Sequence, residues 1–320
     1  MKKIAVLTSG GDAPGMNAAV RAVVRTALNQ GIEVFGVIRG YNGLIKDELI
    51  PMSLRSVSDI IHRGGTVLYT ARSPEFCTEE GMRKAVETCH RHGIEGVVVC
   101  GGDGSFRGAQ DLTNHGIPCI GIPCTIDNDI ACCESTIGYD TAANTVVEMV
   151  DKLRDTSQSH DRCSVVEVMG RHAGWLALTA GMAVGATAIL VPERSCDFQR
   201  EIVDRMRNTS NTGKHHFIIM VAEGVGHVSE LAERIEEATG VETRATVLGH
   251  VQRGGSPSAR DRVLASQMGN YAVHMLMEGK SNRVVAIQAN KLVDYDINEA
   301  LAMKKPFNLK KFEVAKEISI

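Results

Sequence analysis

The sequence predicts an α/β protein of two doubly wound (Rossmann-like) α/β/α sandwich domains with mostly parallel sheets. Apolar strand-like runs alternate with helical patterns from end to end. At 320 residues the chain exceeds the size at which one hydrophobic core stops growing, so two cores are expected. Polar, glycine-rich loops follow strand after strand, at the edge where open parallel sheets collect ligands.

The first unit is the apolar run Ile4 to Thr8, a glycine turn over 9–15, a helix from about Met16 to Gln30 and a strand from Glu33 to Ile38. Later strands are expected at Gly96 to Cys100, Cys119 to Ile122, Ser164 to Val168, Ala188 to Val191, Phe217 to Val221 and Ala245 to Leu248. Between them, Tyr139 to His160 places Ala142, Val146, Met149, Val150 and Leu153 on one helical face. Asp140 or Thr141 would cap that helix, a candidate domain crossing. Trp175 to Val191 is too short for a comfortable membrane span and is interrupted by Gly181 and Gly185, so it reads as a buried helix followed by a buried strand.

Composition narrows the function classes. The chain is 43% hydrophobic and 23% charged with net charge -3, and it lacks a long basic or acidic block, which disfavours nucleic-acid binding. Met1-Lys2-Lys3 runs straight into a strand without the pattern of a signal peptide, so a cytoplasmic protein with no membrane association is expected. Nine cysteines without C-x-x-C spacing read as reduced thiols. Cys119, Cys124, Cys132, Cys133 and His115 lack the paired short spacings of a zinc site.

Five loops carry the chemistry: G-G-D-G-S after Cys100, P-C-T-I-D-N-D after Ile122, M-G-R-H-A-G after Val168, A-E-G after Val221 and G-H-V-Q-R-G-G after Leu248. Glycines before a helix let backbone N–H groups approach phosphate, a need that Gly10, Gly11, Gly102, Gly104 and Gly108 meet. Each stretch alone reads better as an ordinary tight turn; the pair, each after a strand, favours phosphate. Neither is a Walker A loop, and Gly279-Lys280-Ser281 has His274 where that motif needs glycine.

Asp103 beside phosphates would repel its ligand unless Mg²⁺ lies between them, although aspartate also favours turns. Asp127 and Asp129 flank Asn128, with Thr125 just before; two near carboxylates can divide proton abstraction from management of a metal's charge. A D-N-D turn can also be purely structural. Arg72, Arg162, Arg171, Arg244 and Arg253 suit a bidentate grip on phosphate oxygens or a solvated surface. His250, Arg253 and Gly254-Gly255 would form a phosphate cradle, with Glu223 accepting sugar hydroxyls. Arg21 and Arg25 stand at i,i+4, a like-charge pair costing roughly 0.2–0.5 kcal/mol on an isolated helix, which an anion would relieve.

Together the runs T-S-G-G-D-A-P-G-M-N-A (8–18), G-G-D-G-S (101–105), T-I-D-N-D (125–129), V-M-G-R-H-A-G (168–174) and L-G-H-V-Q-R-G-G-S-P (248–257) resemble the bacterial ATP-dependent 6-phosphofructokinases along essentially the whole chain. The resemblance implies an ATP-binding domain over 1–138 plus about 257–305, and a fructose 6-phosphate domain over 139–256 plus about 306–320. It implies phosphoryl transfer from MgATP to the sugar 1-hydroxyl, giving fructose 1,6-bisphosphate and ADP. Gly11, Tyr41, Arg72, Ser73, Gly102, Asp103, Gly104, Ser105 and Gly108 would hold nucleotide, with Asp103 toward magnesium. Asp127 would be the base, Thr125 would position phosphate and Asp129 would assist the metal, with Arg72 and Arg171 at the reacting group. Thr125, Asp127, Met169, Gly170, Arg171, Glu223, His250 and Arg253 would hold the sugar phosphate, joined by Arg162 and Arg244 from a neighbouring subunit. The implied assembly is a homotetramer with shared sugar-phosphate and effector sites, the latter including Arg21, Arg25, Arg55, Arg154, Gly185, Lys214 and His216.

Four departures from the family pattern stand out. Cys124 replaces a usual glycine, and Thr187 replaces the usual effector-site glutamate. Thr212 and His215 thin the basic cluster around Lys214, and Leu54 replaces an arginine seen in some members. Weaker or differently signed regulation by ADP and phosphoenolpyruvate is therefore expected. Pyrophosphate-dependent relatives carry aspartate and lysine where this chain has Gly104 and Cys124, so ATP is favoured as donor and pyrophosphate is the alternative. A silent nucleotide or sugar-phosphate sensor would have no need of Asp103, Asp127 and Asp129. Cys124, beside Thr125, is a candidate point of sensitivity to thiol reagents.

Overall fold

Parallel strands buried on both faces need near-continuous apolar runs, and Ile4–Thr8 is buried throughout. In the computed structural model, which describes residues 1–319, this run lies in β1 (Lys3–Thr8), followed by α1 (Met16–Asn29), β2 (Glu33–Val37), α2 (Tyr41–Lys46), β3 (Leu49–Met52), α3 (Glu79–His92), β4 (Val97–Gly101), α4 (Asp103–Asn114), β5 (Cys119–Pro123) and α5 (Tyr139–Ser159). The chain continues through β6 (Cys163–Val168), α6 (Trp175–Ala183), β7 (Ala188–Leu190), α7 (Asp204–Ser210), β8 (Phe217–Ala222), α8 (Val228–Thr239) and β9 (Thr243–Val247). It ends with α9 (Ala259–Met277), β10 (Arg283–Gln288), β11 (Lys291–Asp296), α10 (Ile297–Ala302) and α11 (Leu309–Glu317).

These elements form two compact units. The first comprises Met1–Ile126, Ile130–Thr141 and Arg253–Lys305; among the described residues the second comprises Asp127–Asp129, Ala142–Gln252 and 306–319. The first holds a seven-stranded sheet in the order β11-β10-β5-β4-β1-β2-β3, parallel from β10 to β2 with an antiparallel strand at each edge. The second holds an all-parallel four-stranded sheet, β7-β8-β6-β9. Its core gathers Cys163, Val165, Phe217, Ile219 and Val221 from the strands against Ile202, Met206, Leu231 and Ile235. The doubly wound α/β class with mostly parallel sheets is thus as the sequence predicts.

Local rules explain most boundaries. Gly15 opens α1 at φ 111°, and a Cβ there would lie 2.6 Å from Ile137 Cγ2, so the turn needs glycine. Thr78 caps α3 by accepting the Gly81 amide at 3.1 Å. Within the stretch from Trp175 to Val191 the chain is a buried helix and a buried strand, α6 and β7. Among the described residues no helix is long and apolar enough to cross a membrane.

Several elements differ from the sequence reading. The sequence reading named no strand at β3, β10 or β11: β3 is only four residues long and contains Pro51, the apolar run of β10 is Val284 to Ile287, and β11 holds Lys291, Asp294 and Asp296, because an edge strand meets solvent along one side. The last strand of the second unit begins at Thr243 rather than Ala245; it too is an edge, largely exposed, so hydrophobicity marks it poorly. Neither Asp140 nor Thr141 is the cap of α5. The helix already starts at Tyr139, and the Thr141 amide donates at 2.8 Å to the Asp261 carboxylate, a cap supplied from 120 residues away.

In the second unit, Arg194 donates through Nη1 and Nη2 to both carboxylate oxygens of Glu201, each at 2.7 Å, with side-chain exposures of 25% and 13%. The bond from Arg194 holds the Glu201 carboxyl below its usual range against the opposing effect of burial. A carboxyl depressed in the folded state contributes stability above its unfolded pKa and loses it as pH falls through the folded value. Glu201→Gln is therefore expected to cost about 1–3 kcal/mol at pH 7 and much less near pH 3. Thermal melts at both pH values check this, and an equal loss at both would rule the pair out as the source.

Candidate active site

In the first unit, β5, β4 and β1 are parallel neighbours, so their carboxyl ends set three loops side by side. Close approach of these loops demands glycine: a Cβ on Gly101 would lie 2.6 Å from the Ser9 carbonyl and 2.3 Å from Ser105 Oγ. Gly102 is the residue before α4, Asp103 is its first residue and Gly104 its second. A Cβ on Gly104 would meet nothing within 4 Å, so the start of this helix faces open space. Helix starts carry unpaired N–H groups and partial positive charge, which suit phosphate.

Among the described residues, no group of three or more His, Cys, Asp or Glu is arranged to hold a metal by itself. A single helix-start carboxylate, Asp103, suits Mg²⁺ instead, which takes one or two carboxylates and completes its shell with phosphate oxygens and water.

The remaining nucleotide candidates occupy the same unit in different ways. Tyr41 is 5% exposed; its hydroxyl donates to the Ser105 carbonyl at 2.5 Å and its ring stacks on Phe76 with centroids 4.1 Å apart. Burial, then Cys119 and Asp111, push its phenol well above the usual pKa. A Cβ on Gly108 would lie 2.7 Å from that ring, so Gly108 makes room for Tyr41, and Tyr41 braces the first turn of α4. Arg72 is exposed and Ser73 half-buried, with the Arg72 carbonyl accepting Asn42 Nδ2 at 3.3 Å. Arg253 also belongs to this unit: its guanidinium donates to the Asp12 carbonyl at 3.0 Å and would stand 2.6 Å from a Cβ on Gly11. The glycine turn and Arg253 thus lie together.

Beyond β5, Thr125 is buried and its carbonyl accepts the Thr136 hydroxyl at 2.6 Å. Asp127 and Asn128 are buried and Asp129 half-buried. Asn128 has φ 51°, a left-handed conformation that asparagine tolerates better than most residues. Cys124 donates its amide to the Gly101 carbonyl at 2.9 Å, which ties this loop to the end of β4. Its side chain is 1% exposed, and burial foremost, with Cys100 next, pushes its thiol well above the usual pKa. The expectation of thiol-reagent sensitivity at Cys124 is therefore corrected, since both access and thiolate character are lacking.

In the second unit the carboxyl ends of β8, β6 and β9 again stand side by side. Gly170 has φ 145° and Arg171 the left-handed φ 58°. The Arg171 backbone amide donates to Glu223 Oε1 at 2.5 Å, and the residue is exposed. Strain of this kind at a non-glycine residue concentrates at ligand sites. Met169 donates its amide to Gln252 Oε1 at 3.1 Å, and Gln252 Nε2 donates to the Gly249 carbonyl at 2.9 Å. Gln252 is fully buried and joins the two loops; the sequence reading passed over it because its conspicuous neighbours His250 and Arg253 bear the reactive groups. His250 itself is exposed.

Arg162 and Arg244 share one carboxylate, Glu242, through Nε at 2.7 Å and Nη2 at 2.5 Å respectively. Glu242 was also overlooked, having no motif to mark it. Near the start of β8, Lys214 and His216 are pushed toward their neutral forms, first by burial and then by other cations: Arg154 for Lys214, and Lys214 and Arg154 for His216. Gly185 has φ 59° and an open position, and Thr187 is 2% exposed with its amide on the Ile218 carbonyl at 2.7 Å. Thr212 and His215 are exposed. In the first unit Arg21 is likewise pulled down by burial and by Arg25, and Arg55 is exposed.

A family model described as phosphofructokinase matches residues 3–276. The ATP-dependent 6-phosphofructokinases of Bacillus velezensis and Bacillus subtilis (strain 168) are each 58% identical over 320 residues, covering 100% of this chain and 100% of theirs. The solved phosphofructokinase of Saccharomyces cerevisiae superposes with a TM-score of 0.89 at 39% identity. That match covers 99% of this chain and 47% of the yeast chain, so this chain spans about half its length. A pyrophosphate-dependent phosphofructokinase from Marinobacter aquaeolei gives a TM-score of 0.86 over 97% of this chain and 86% of its own; at 24% identity that likeness concerns the fold alone.

Proposed function

The chain belongs to the phosphofructokinase family, and from that premise we propose that its folded units carry out ATP-dependent 6-phosphofructokinase chemistry. The γ-phosphoryl group of MgATP passes to the 1-hydroxyl of fructose 6-phosphate, giving fructose 1,6-bisphosphate and ADP. The observation that carries this reading is the 58% identity to ATP-dependent 6-phosphofructokinases over the full length of both chains.

In this reading Asp127 accepts the proton of the attacking hydroxyl, and Thr125 orients the phosphoryl group in flight. Arg72 and Arg171 would supply guanidinium groups for its oxygens, since a planar guanidinium can pair with two of them. Gly11, Gly102, Gly104 and Ser105 receive the nucleotide, with Tyr41 and Gly108 setting the pose of α4. Mg²⁺ held by Asp103, with help from Asp129, would neutralise charge building on the phosphates. Met169, Gly170, Glu223, His250 and Arg253 hold the sugar phosphate, and Arg162 and Arg244 serve a neighbouring subunit's sugar phosphate in a homotetramer. The protein acts in the cytoplasm.

A coupled assay at equal fructose 6-phosphate with ATP or pyrophosphate tests the donor. Turnover with ATP is expected, and faster turnover with pyrophosphate would overturn the reading. Open space at Gly104 favours the bulkier donor. Arg21, Arg25, Arg55, Arg154, Gly185, Lys214 and His216 form the effector site in this reading, with Thr187 in place of a carboxylate. ADP and phosphoenolpyruvate then act weakly or with altered sign. Thr187→Glu is expected to change the response to at least one of them, and identical effector titrations of both proteins would refute that role.

A further inference from the structure

Asp261 is a fully buried carboxylate, at the start of α9, that the proposed reaction does not use. Its Oδ2 accepts the Thr141 amide at 2.8 Å and the Thr141 hydroxyl at 2.5 Å. The same hydroxyl accepts the Ser258 amide at 2.9 Å, and the Ser258 hydroxyl caps α9 by accepting the Asp261 amide at 3.2 Å while donating to Asp140 at 2.6 Å. Burial raises the Asp261 carboxyl, and the Thr141 hydroxyl with the Gly138 and Thr141 amides pulls it back. A buried charge is tolerated when such donors surround it.

The segment held in this way is itself bonded to the reacting loop. The Ile137 amide donates to the Pro123 carbonyl at 2.9 Å, Ile137 bridges Cys124, and the Thr136 hydroxyl donates to the Thr125 carbonyl at 2.6 Å. Thr125 stands two residues before Asp127. Hydrogen bonds and one short run of chain therefore lead from Asp261 through 136–141 to the residues proposed to carry the chemistry, with no contact to ligand required.

We propose that Asp261 is a positioning residue for phosphoryl transfer, its buried carboxylate locking the 136–141 segment and through it the pose of Thr125 and the turn bearing Asp127. The inference rests on the proposed phosphofructokinase activity. Asparagine has nearly the same shape but only one accepting oxygen. Turned to satisfy Thr141, it buries its NH₂ group where Oδ1 has no hydrogen-bond partner; turned the other way, it faces two Thr141 donors with a donor. Small misplacements of reacting groups are costly in rate.

The test compares steady-state kinetics and thermal melts of the wild type with Asp261→Asn, Thr141→Val, Thr141→Ser and the Asp261→Asn/Thr141→Val double variant. Asp261→Asn and Thr141→Val are expected to lower kcat about 10- to 100-fold with KM for ATP and fructose 6-phosphate within about 3-fold of wild type. Thr141→Ser, which keeps the hydroxyl, is expected to retain wild-type kcat. The double variant should fall no further than the worse single one, because both changes break the same link. A kcat of Asp261→Asn within about 3-fold of wild type, or losses that multiply in the double variant, would overturn the proposal. If Asp261→Asn does not fold, the contrast between Thr141→Ser and Thr141→Val decides, and equal kcat in those two would overturn it. An inactive wild type would instead sink the functional reading on which this role depends.

Discussion

Asp127→Asn is expected to lower kcat by about 10²–10⁴-fold while leaving KM for ATP within a few-fold, because a general base acts on the proton in flight and contributes little to ground-state nucleotide binding. The side chain is 8% exposed and its neighbour Asn128 adopts φ 51°, so the turn is closely constrained. Asparagine keeps volume and hydrogen-bonding reach but cannot take up a proton at neutral pH. Steady-state kinetics with both substrates varied measure the effect. A loss below about tenfold would remove Asp127 from the role of base and reopen the possibility of a silent sensor on the same fold.

Asp103→Asn is expected to lower kcat/KM for MgATP by about 10²–10³-fold and to shift half-saturating Mg²⁺ upward. The residue is the first of α4, where N–H groups and the helix dipole already favour phosphate. A carboxylate there adds repulsion toward bare phosphate and attraction toward a cation carried on it. The sign is therefore diagnostic: a purely structural turn residue would leave the Mg²⁺ dependence alone, and a residue that merely crowds the nucleotide would improve binding when neutralised. Chelation by EDTA should abolish turnover of the wild type and restore it on addition of excess Mg²⁺. Unchanged Mg²⁺ titrations between wild type and Asp103→Asn would remove the metal-facing role.

Legibility of the candidate site differed by residue type. Gly102, Asp103, Thr125, Asp127, Arg171 and Arg253 stand in loops directly after apolar runs, so both their chemistry and their place at a sheet edge could be read along the chain. Gln252, Glu242 and Asp261 could not be read in this way. Each is an ordinary polar residue whose importance comes from partners distant in sequence: Met169 for Gln252, Arg162 for Glu242 and Thr141 for Asp261. Tyr41 and Gly108 show the same limit differently. Each looked like a contact for nucleotide, and the fold adds that they pack on one another, ring against glycine.

By itself the sequence determined the class of fold, the succession of buried parallel strands and the loops rich in glycine, arginine and aspartate. Apolar runs and turn residues act locally, within a few residues of where they stand. Tertiary structure alone decided the antiparallel edges, β3 with its four residues and β11 with polar residues that tolerate solvent on one side, and the cap of α5, taken from Asp261 rather than from Asp140 or Thr141. It also decided that Cys124, conspicuous in sequence, is sealed from solvent. Burial and long-range hydrogen bonds are properties of which segments meet, and a linear pattern does not carry that information.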